Sequence, residues 1–278
     1  MQGFTEMAHQ VGGHATSLKA HNGRVLKPFQ SKQRGQREAD FYNRVFVSEK
    51  DSPEFVELRK FLPTYYGTME VEEGKETDGL HSGKYLVLED LTWGRQWPCI
   101  MDVKMGTKSY EDDAPPEKIA YEKSKFPLQG TVGFRIQGFK VFDPKKKEYV
   151  EFDKHFGRRI TSENDLAPAF RNYFPPEETT KTIKLLKAFL RRLDQLKAWF
   201  DGQQGMEFIA SSFLFLYDGE ESAKDDKDVA EAYAADIRLI DFAHATQFGS
   251  PKRDEGLRTG IATLIQCFQA LLQEAQAE

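Results

Sequence analysis

One apolar stretch decides the fold of this chain: Pro98-Cys99-Ile100-Met101-Asp102-Val103-Lys104-Met105-Gly106. If it forms a β-strand, successive side chains point to opposite faces, so Ile100, Asp102 and Lys104 share one face. The apolar residues of the other face, which can pack into a core, are Met101, Val103 and Met105. A strand with a charged pair on its free face is typical of the floor of a functional site. An edge strand with a solvated Asp–Lys pair fits the same spacing equally well.

The length and composition restrict the class of protein. The 278 residues suffice for one two-lobed unit or for two small domains. No apolar run reaches membrane-spanning length and the first residues lack a signal-peptide core, so we expect no binding to a membrane. The net charge of −5 argues against a nucleic-acid-binding protein. An anionic ligand would therefore need a local basic patch on this chain.

The cysteine content indicates the cellular compartment. Cys99 and Cys267 are the only two cysteines, and they lie far apart in the sequence. This spacing indicates a reducing compartment rather than a disulfide scaffold, and we expect the cytoplasm or also the nucleus.

Two segments near the amino terminus carry groups that could bind phosphate. The two glycines of His9-Gln10-Val11-Gly12-Gly13-His14 predict a tight hairpin whose amides could approach a phosphate, with a plain surface turn as the alternative. Further along, Lys27 lies in a short apolar strand, and Glu38 lies near the start of a predicted helix. Protein kinases hold nucleotide phosphates with such a strand lysine and helix glutamate. Solvated surface positions for both residues are the alternative.

The remaining two thirds of the chain predict further strands and helices. Residues 130–142 alternate in hydrophobicity and predict a strand with a β-bulge at Gly138, and residues 208–219 predict a long apolar strand. Residues 179–200 carry apolar side chains at helical spacing and predict a core helix. Residues 236–241 predict a buried strand that ends in Asp241, and an aspartate there, next to a phosphate site, is a common Mg²⁺ ligand.

These motifs together resemble the inositol polyphosphate kinase family. Pro-x-x-x-Asp-x-Lys-x-Gly is the family signature, and residues 98–106 match it at every fixed position. The hexakisphosphate-kinase branch is similar in its amino-terminal His-Gln-Val-Gly-Gly-His, in the Ala-His that follows Ile-Asp-Phe, and in the residues after the signature. The latter are Lys104-Met105-Gly106-Thr107-Lys108-Ser109-Tyr110 and Asp112-Asp113-Ala114. The resemblance extends from about residue 9 to about residue 264.

The resemblance implies a fold and a nucleotide site. The fold would be a two-lobed α+β fold, protein-kinase-like or ATP-grasp-like, with residues 1–90 as the amino-terminal lobe and residues 91–278 as the carboxy-terminal lobe. ATP would bind between the lobes. Lys27 would hold its phosphates with the help of Glu38, and the backbone of Glu89 and Leu91 would contact the adenine.

The resemblance also implies the catalytic and metal-binding residues. Asp241 and Ser212 would bind Mg²⁺, with a serine bonded to backbone as the alternative for Ser212. Lys104 would lie beside the transferred phosphoryl group. Asp102 would accept a proton if the acceptor is a hydroxyl, or orient the ATP ribose or the substrate if the acceptor is a phosphate.

A group of lysines is the expected binding site of the acceptor: Lys104, Lys108, Lys118, Lys123, Lys125 and Lys140. The alternative for the lysines of residues 118–125 is a solvated helix face, and the alternative for Lys140 is an ordinary exposed strand residue. The segment between the signature and the next strand is short. A short segment leaves an open pocket, which suits a larger and more phosphorylated ligand.

The activity that the resemblance implies is ATP-dependent phosphorylation of an inositol phosphate. The first expectation is inositol hexakisphosphate converted to a diphosphoinositol product, and the alternatives are a trisphosphate 3-kinase or a multikinase. A catalytically silent polyphosphate-binding module is the alternative of another class. The chain lacks the His-Arg-Asp and Asp-Phe-Gly motifs of ordinary protein kinases. We expect a monomer.

Overall fold

Two five-stranded antiparallel sheets organise the computed structural model of the chain. The structure describes residues 5–11, 18–76, 80–175, 178–220, 233–247 and 249–278. The predicted glycine hairpin lies partly outside this range, because Gly12, Gly13 and His14 are not among the described residues.

The first sheet has the strand order β1-β2-β3-β5-β4. Its strands are β1 (Thr5–Glu6), β2 (Lys19–His21), β3 (Arg24–Pro28), β4 (Tyr65–Val71) and β5 (Gly83–Glu89). Asn22 and Gly23 join β2 to β3 with positive φ angles of 48° and 75°, the conformation that Asn-Gly hairpin turns favour. The helices between β3 and β4 are α1 (Arg34–Asn43), its π-helical continuation (Arg44–Ser48), α2 (Pro53–Leu58) and a 3₁₀ turn (Arg59–Phe61).

The second sheet has the strand order β11-β10-β6-β7-β8 and places the signature strand at its centre. Its strands are β6 (Pro98–Met105), β7 (Phe134–Asp143), β8 (Glu148–Phe152), β10 (Ser212–Asp218) and β11 (Asp236–Ile240). A separate pair joins β9 (Met206–Phe208) to β12 (Ala245–Gln247).

The described part of the chain after β6 also contains helices. They are α3 (Pro116–Lys125), α4 (Gln129–Val132), α5 (Lys154–Arg158), a 3₁₀ turn (Glu163–Asp165), α6 (Leu166–Arg171), α7 (Thr179–Gly202) and α8 (Glu255–Ala277). The predicted core helix is α7, whose buried side chains recur at three- and four-residue steps and pack against α8. Within the described part of the chain, no helix combines the length and the apolar character that crossing a membrane requires.

The alternation predicted for the signature strand is confirmed. Met101, Val103 and Met105 are fully buried in the main core. Ile100 lies on the opposite face, in a small cluster with Leu91 and Leu216. Asp102 and Lys104 share this second face, so the apolar residues anchor the strand while the charged pair points towards the first sheet.

The strand β7 begins later than the sequence predicts. We expected a strand over residues 130–142, but Gln129–Val132 form the short helix α4, and Gly133 has a positive φ of 74°. The reason is close packing, because the backbone of Gly133 lies against Gly260 of α8, where a Cβ atom would meet the Gly133 oxygen at 2.2 Å. The predicted bulge at Gly138 is confirmed by a register shift opposite Asp102 and Val103.

The long strand expected over residues 208–219 is divided in two. β9 ends at Phe208 and β10 begins at Ser212, with a turn between them in which Ala210 has a positive φ of 58°. Alanine is not a typical turn residue, so the apolar sequence of this segment did not indicate the turn.

The close approach of α8 to Gly133 gives a stability prediction. Gly260→Ala should lower the free energy of unfolding by about 1–3 kcal/mol, because its Cβ overlaps the Gly133 backbone, which has little room to move. Gly202→Ala is the matched control, since an added Cβ there meets no atom within 4 Å. Urea denaturation of both variants tests this, and equal midpoints for the two would contradict it.

Candidate active site

The charged pair of β6 faces the cleft between the two sheets. Asp102 lies opposite Leu214 of β10 and Gly138 of β7, in the middle of the second sheet. Lys104 lies opposite Ser212, and its Nζ donates a hydrogen bond to the Ala210 oxygen at 2.9 Å. The strand therefore presents both groups as the floor of a site and not as a solvated edge pair.

Lys27 joins the two sheets through ion pairs to two carboxylates. Its Nζ lies 2.7 Å from Glu38 Oε1, on α1, and 2.6 Å from Asp241 Oδ1, at the end of β11. Burial opposes the charge of Lys27, but the Asp241 and Glu38 carboxylates outweigh it and raise the lysine pKa. The lysine is thus charged and held in one position.

Asp241 lies in a constrained backbone position. Its φ is +67°, the left-handed region that aspartate tolerates better than most residues. The Ser211 hydroxyl donates to the Asp241 oxygen at 2.8 Å, and the Phe242 amide donates to Glu38 Oε1 at 3.2 Å. These bonds fix the turn after β11, so the Asp241 side chain reaches Lys27.

The Asp102 carboxyl group is buried next to like charge. Burial disfavours its charged form, and the Asp241 carboxylate adds repulsion, so its pKa rises from 3.8 to about 7. Burial lowers the pKa of Lys104, against the opposing charges of Asp241 and Asp102. The pKa of Asp241 moves in the opposite direction, because the positive charges of Lys27 and Lys104 outweigh its partial burial and lower it. The site therefore contains one ionised and one proton-accepting carboxyl group at neutral pH.

Several oxygen atoms near Lys104 are suited to a divalent metal ion that is bound together with phosphate. Asp102 Oδ1 and Ser212 Oγ are buried, and neither has a well-aligned hydrogen-bond partner among the described residues, although the Ser212 hydroxyl lies close enough to Asp102 to lower its pKa. The Asp241 side chain is 39% exposed to the cleft. In the described ranges, no three His, Cys, Asp or Glu side chains form a cluster that could hold a metal alone. This set suits Mg²⁺, which takes one or two carboxylates and completes its shell with phosphate and water.

An apolar cleft of about 120 Å³ adjoins this charged cluster. Its walls come from both sheets: Val25 and Leu88 from the first, and Leu214 and Ile240 from the second. Glu89 and Leu91 line the cleft together with Lys27 and Asp241. The apolar walls suit the base of a nucleotide, and the fixed cation of Lys27 at the end of the cleft suits its phosphates.

The Glu89 side chain is 30% exposed and is held in one position by its neighbours. Its Oε2 accepts hydrogen bonds from the Thr64 amide at 2.9 Å and from Arg238 at 3.3 Å. The Asp90 amide donates to the Gly23 oxygen at 2.9 Å. The backbone at the crossing between the sheets is therefore fixed in place, as a binding edge for a base requires.

Three of the predicted acceptor lysines are paired with carboxylates. The pairs are Lys108–Asp112 (2.6 Å), Lys125–Glu122 (2.5 Å) and Lys140–Glu151 (2.8 Å). Lys118 and Lys123 lie exposed on α3. Each pairing lowers the local positive charge, so the acceptor side is less basic than a count of its lysines indicates.

Arg135 is a functional candidate that the sequence reading missed. It lies opposite Lys104 on β7, is buried, and has a guanidinium nitrogen without a hydrogen-bond partner in the described part of the chain. Glu122 lies 3.7 Å from it. The alternation of residues 132–137 placed Arg135 on the face away from the core, and this was the signal that could have identified it.

A larger cavity of about 570 Å³ lies beside this basic group. It is lined by Gln137 and Gly138 of β7, Glu151 of β8, and Lys154 and Arg159 near α5. The Gln137 side chain, with its amide oxygen turned towards β7, accepts hydrogen bonds from Arg135 at 3.0 and 3.2 Å. Gly138 is also the strand neighbour of Asp102, so one wall of the cavity comes from the backbone next to the site floor.

Comparison with known proteins gives consistent results. The family model described as "Inositol polyphosphate kinase" matches residues 85–269. The chain is similar to the human inositol polyphosphate multikinase, with 33% identity over 87% of this chain and 58% of the human protein. It is also similar to human inositol hexakisphosphate kinase 2, with 29% identity over 69% of this chain and 52% of that protein. The chain thus spans little more than half the length of these relatives.

A solved structure has the same overall fold. It is an inositol phosphate multikinase of Saccharomyces cerevisiae in complex with ADP and Mn²⁺, with a TM-score of 0.70 and 27% identity. The match covers 90% of this chain and all of that chain. This similarity confirms the predicted two-lobed α+β kinase fold. The lobe boundary at residue 90 stays a prediction.

The raised pKa of Asp102 gives a prediction about stability without ligands. Its folded pKa of about 7 lies above the unfolded value of 3.8, so stability falls as the pH rises from 3.8 to 7 and stays reduced above pH 7. Asp102→Asn should therefore raise the free energy of unfolding by about 1–4 kcal/mol at pH 8 and by less at pH 5.

Thermal melts of the ligand-free protein at the two pH values test this prediction. Glu57→Gln, on an exposed carboxylate of α2 that pairs with Lys60, serves as the control and should shift neither melt. A lower melting temperature for Asp102→Asn at pH 8 would show that the carboxylate stabilises the fold.

Proposed function

The chain belongs to the inositol polyphosphate kinase family, and from this premise we propose that it transfers the terminal phosphoryl group of ATP to an inositol phosphate. One observation carries the proposal. The Lys27–Glu38–Asp241 cluster lies beside the buried Asp102 and Lys104, at the end of an apolar cleft between two sheets. Retention of all these groups argues against a silent binding module.

ATP would bind with its base in the apolar cleft. The backbone of Glu89 and Leu91 offers hydrogen-bonding groups at the edge of the cleft, and apolar side chains from both sheets cover the two faces of the base. Lys27 would then contact the phosphates as a charged group that Glu38 already orients. Glu38 is buried, so it holds the lysine from inside the protein and leaves the cleft free for the nucleotide.

Asp241 and Ser212 would hold a divalent metal ion, and Asp102, whose pKa both of these residues affect, could contribute its Oδ1. The ion would neutralise charge on the phosphates. When the nucleotide binds, the present Lys27–Asp241 pair would open to admit it, since Asp241 is exposed to the cleft and Lys27 has a second partner in Glu38.

Lys104 and Asp102 would act on the transferred group and on the acceptor. Phosphoryl transfer depends mainly on positioning and on stabilising charge at the equatorial oxygens, and Lys104 is placed on the floor for this role. If the acceptor is a hydroxyl, Asp102 is suited to accept its proton, because a pKa of about 7 is near the optimum for a base at neutral pH.

Multikinase activity on a less phosphorylated inositol phosphate fits the observations better than hexakisphosphate kinase activity. Identity is higher to the human multikinase than to human hexakisphosphate kinase 2. The carboxylates of Asp112, Glu122 and Glu151 also reduce the positive charge of the acceptor side, which favours a less phosphorylated acceptor. The hexakisphosphate expectation rested on motif similarity and a short α3 segment, and it did not consider how the lysines pair.

The acceptor would lie over Lys104, Arg135 and Gln137, and it would extend into the 570 Å³ cavity. The phosphates of an inositol phosphate are bound by cationic side chains, and Lys104 and Arg135 supply two of these from one sheet face. A free hydroxyl next to Asp102 would be the phosphorylated group. This placement makes an inositol tris- or tetrakisphosphate the expected substrate.

A direct assay decides the acceptor class. Purified protein with ATP and Mg²⁺ should phosphorylate inositol trisphosphate with a kcat/KM at least about tenfold above that for the hexakisphosphate. The reason is that the carboxylates paired with the lysines repel a more highly charged acceptor more strongly. Products are resolved by ion-exchange chromatography. A preference for the hexakisphosphate would restore the original expectation, and no transfer to any inositol phosphate would refute the proposed function.

Asp241→Asn tests the metal site within this function. The variant should lose at least about 100-fold in turnover at saturating Mg²⁺, because its amide binds the cation weakly and no longer neutralises Lys27. Circular dichroism should show the native fold. Near-normal turnover in this variant would remove Asp241 from the metal site.

A further inference from the structure

One carboxylate outside the proposed ATP and metal sites connects three segments that carry the site. Glu111 lies between β6 and α3, in the segment that leads to the acceptor lysines. Its Oε1 accepts a hydrogen bond from Arg37 Nη1 at 2.8 Å and lies 3.2 Å from His244 Nδ1. Glu111 and His244 are half-buried, with side-chain exposures of 27% and 21%, and Arg37 is 45% exposed.

The partners of Glu111 are next to the nucleotide-binding groups. Arg37 precedes Glu38, which holds Lys27, and His244 follows Asp241 by three residues. A second contact runs parallel to the first, because the Phe242 amide donates to Glu38 Oε1. Helix α1 is therefore fastened twice to the turn after β11, once directly through Glu38 and once through Glu111.

The two contacts differ in what they connect. The Glu38 contact joins only the nucleotide-binding helix and the metal-binding turn. The Glu111 contact adds the segment between residues 106 and 116, which connects the signature strand to α3 and its lysines. In the part of the chain that the structure describes, Arg37–Glu111 is the one ion pair that joins α1 to this segment. Loss of Glu111 would leave the ATP side intact and release the acceptor side.

We propose that Glu111 is a positioning residue that couples the acceptor-binding segment to the nucleotide site through Arg37 and His244. This inference rests on the proposed function and concerns its geometry. Glu111 lines neither the cleft proposed for ATP nor the cavity proposed for the acceptor. It sets the distance between the lysines of the acceptor segment and the phosphoryl group held by Lys27 and Asp241, and misplacement by about 1 Å is enough to slow transfer markedly.

The test separates the two substrates. In Glu111→Ala, the KM for inositol trisphosphate should rise by about five- to twentyfold, the size of one charged coupling, while the ATP affinity changes by less than about twofold. Arg37→Ala should have the same effect, and the double variant should be no worse than either single variant. Glu111→Asp, which keeps the charge, should recover part of the loss.

Glu57→Ala is the matched control, since it removes an exposed carboxylate of α2 that is paired with Lys60. It should leave the KM for inositol trisphosphate and the ATP affinity unchanged. A general loss of stability would instead lower the melting temperature and the apparent turnover and leave both constants unchanged. Equal effects on the acceptor and on ATP, or additive single variants, would overturn the proposal.

Amide hydrogen exchange gives a readout that does not require activity. Exchange in residues 107–115 should accelerate about tenfold in Glu111→Ala, and exchange in α7 should not change. Unchanged exchange in residues 107–115 would overturn the proposal even if the protein phosphorylates inositol trisphosphate. If the wild-type protein transfers phosphate to no inositol phosphate, the proposed function fails, and the exchange result still decides the role of Glu111.

Discussion

The structure depends on one interaction, the double ion pair of Lys27. A lysine on the first sheet reaches a glutamate on α1 and an aspartate on the second sheet, at 2.7 and 2.6 Å. A buried cation is costly unless it is paired, so both carboxylates must be in place when the sheets come together. This requirement fixes the spacing of the sheets, and with it the width of the apolar cleft and the distance from Lys27 to the floor formed by Asp102 and Lys104.

The same arrangement costs stability at the site. Asp102 is buried next to Asp241 and has a raised pKa, and its Oδ1 lacks a well-aligned hydrogen-bond partner among the described residues. Asp241 has a left-handed backbone, and one buried guanidinium nitrogen of Arg135 has no partner in the same part of the chain. Strain and unsatisfied polar groups concentrate where a charged ligand would relieve them. Their position on one sheet face is a physical reason to place the phosphates there.

The sequence predicted those features that local pattern determines. Alternation in residues 98–106 placed Asp102 and Lys104 on one face, and helical spacing identified α7. Lys27 and Glu38 lie only 11 residues apart, and their pairing was expected. The contact of Lys27 with Asp241 spans 214 residues and has no local signal, so only the family resemblance brought the two together. The helix over residues 129–132 likewise depends on packing against α8, which the local pattern does not show. The pairing of Lys125 with Glu122, which changes the expected acceptor, is a side-chain contact that a count of lysines does not show.

The central claim is that Lys27 and Asp241 act as one unit on the phosphates of ATP. The most direct test is a double-mutant cycle in which calorimetry measures ATP·Mg²⁺ binding to Lys27→Met, Asp241→Asn and the double variant. Acting as one unit, the two residues should show a coupling of at least about 1 kcal/mol, so that the double variant binds little worse than either single variant. Losses that add independently, or single variants with the affinity of the wild-type protein, would contradict the account.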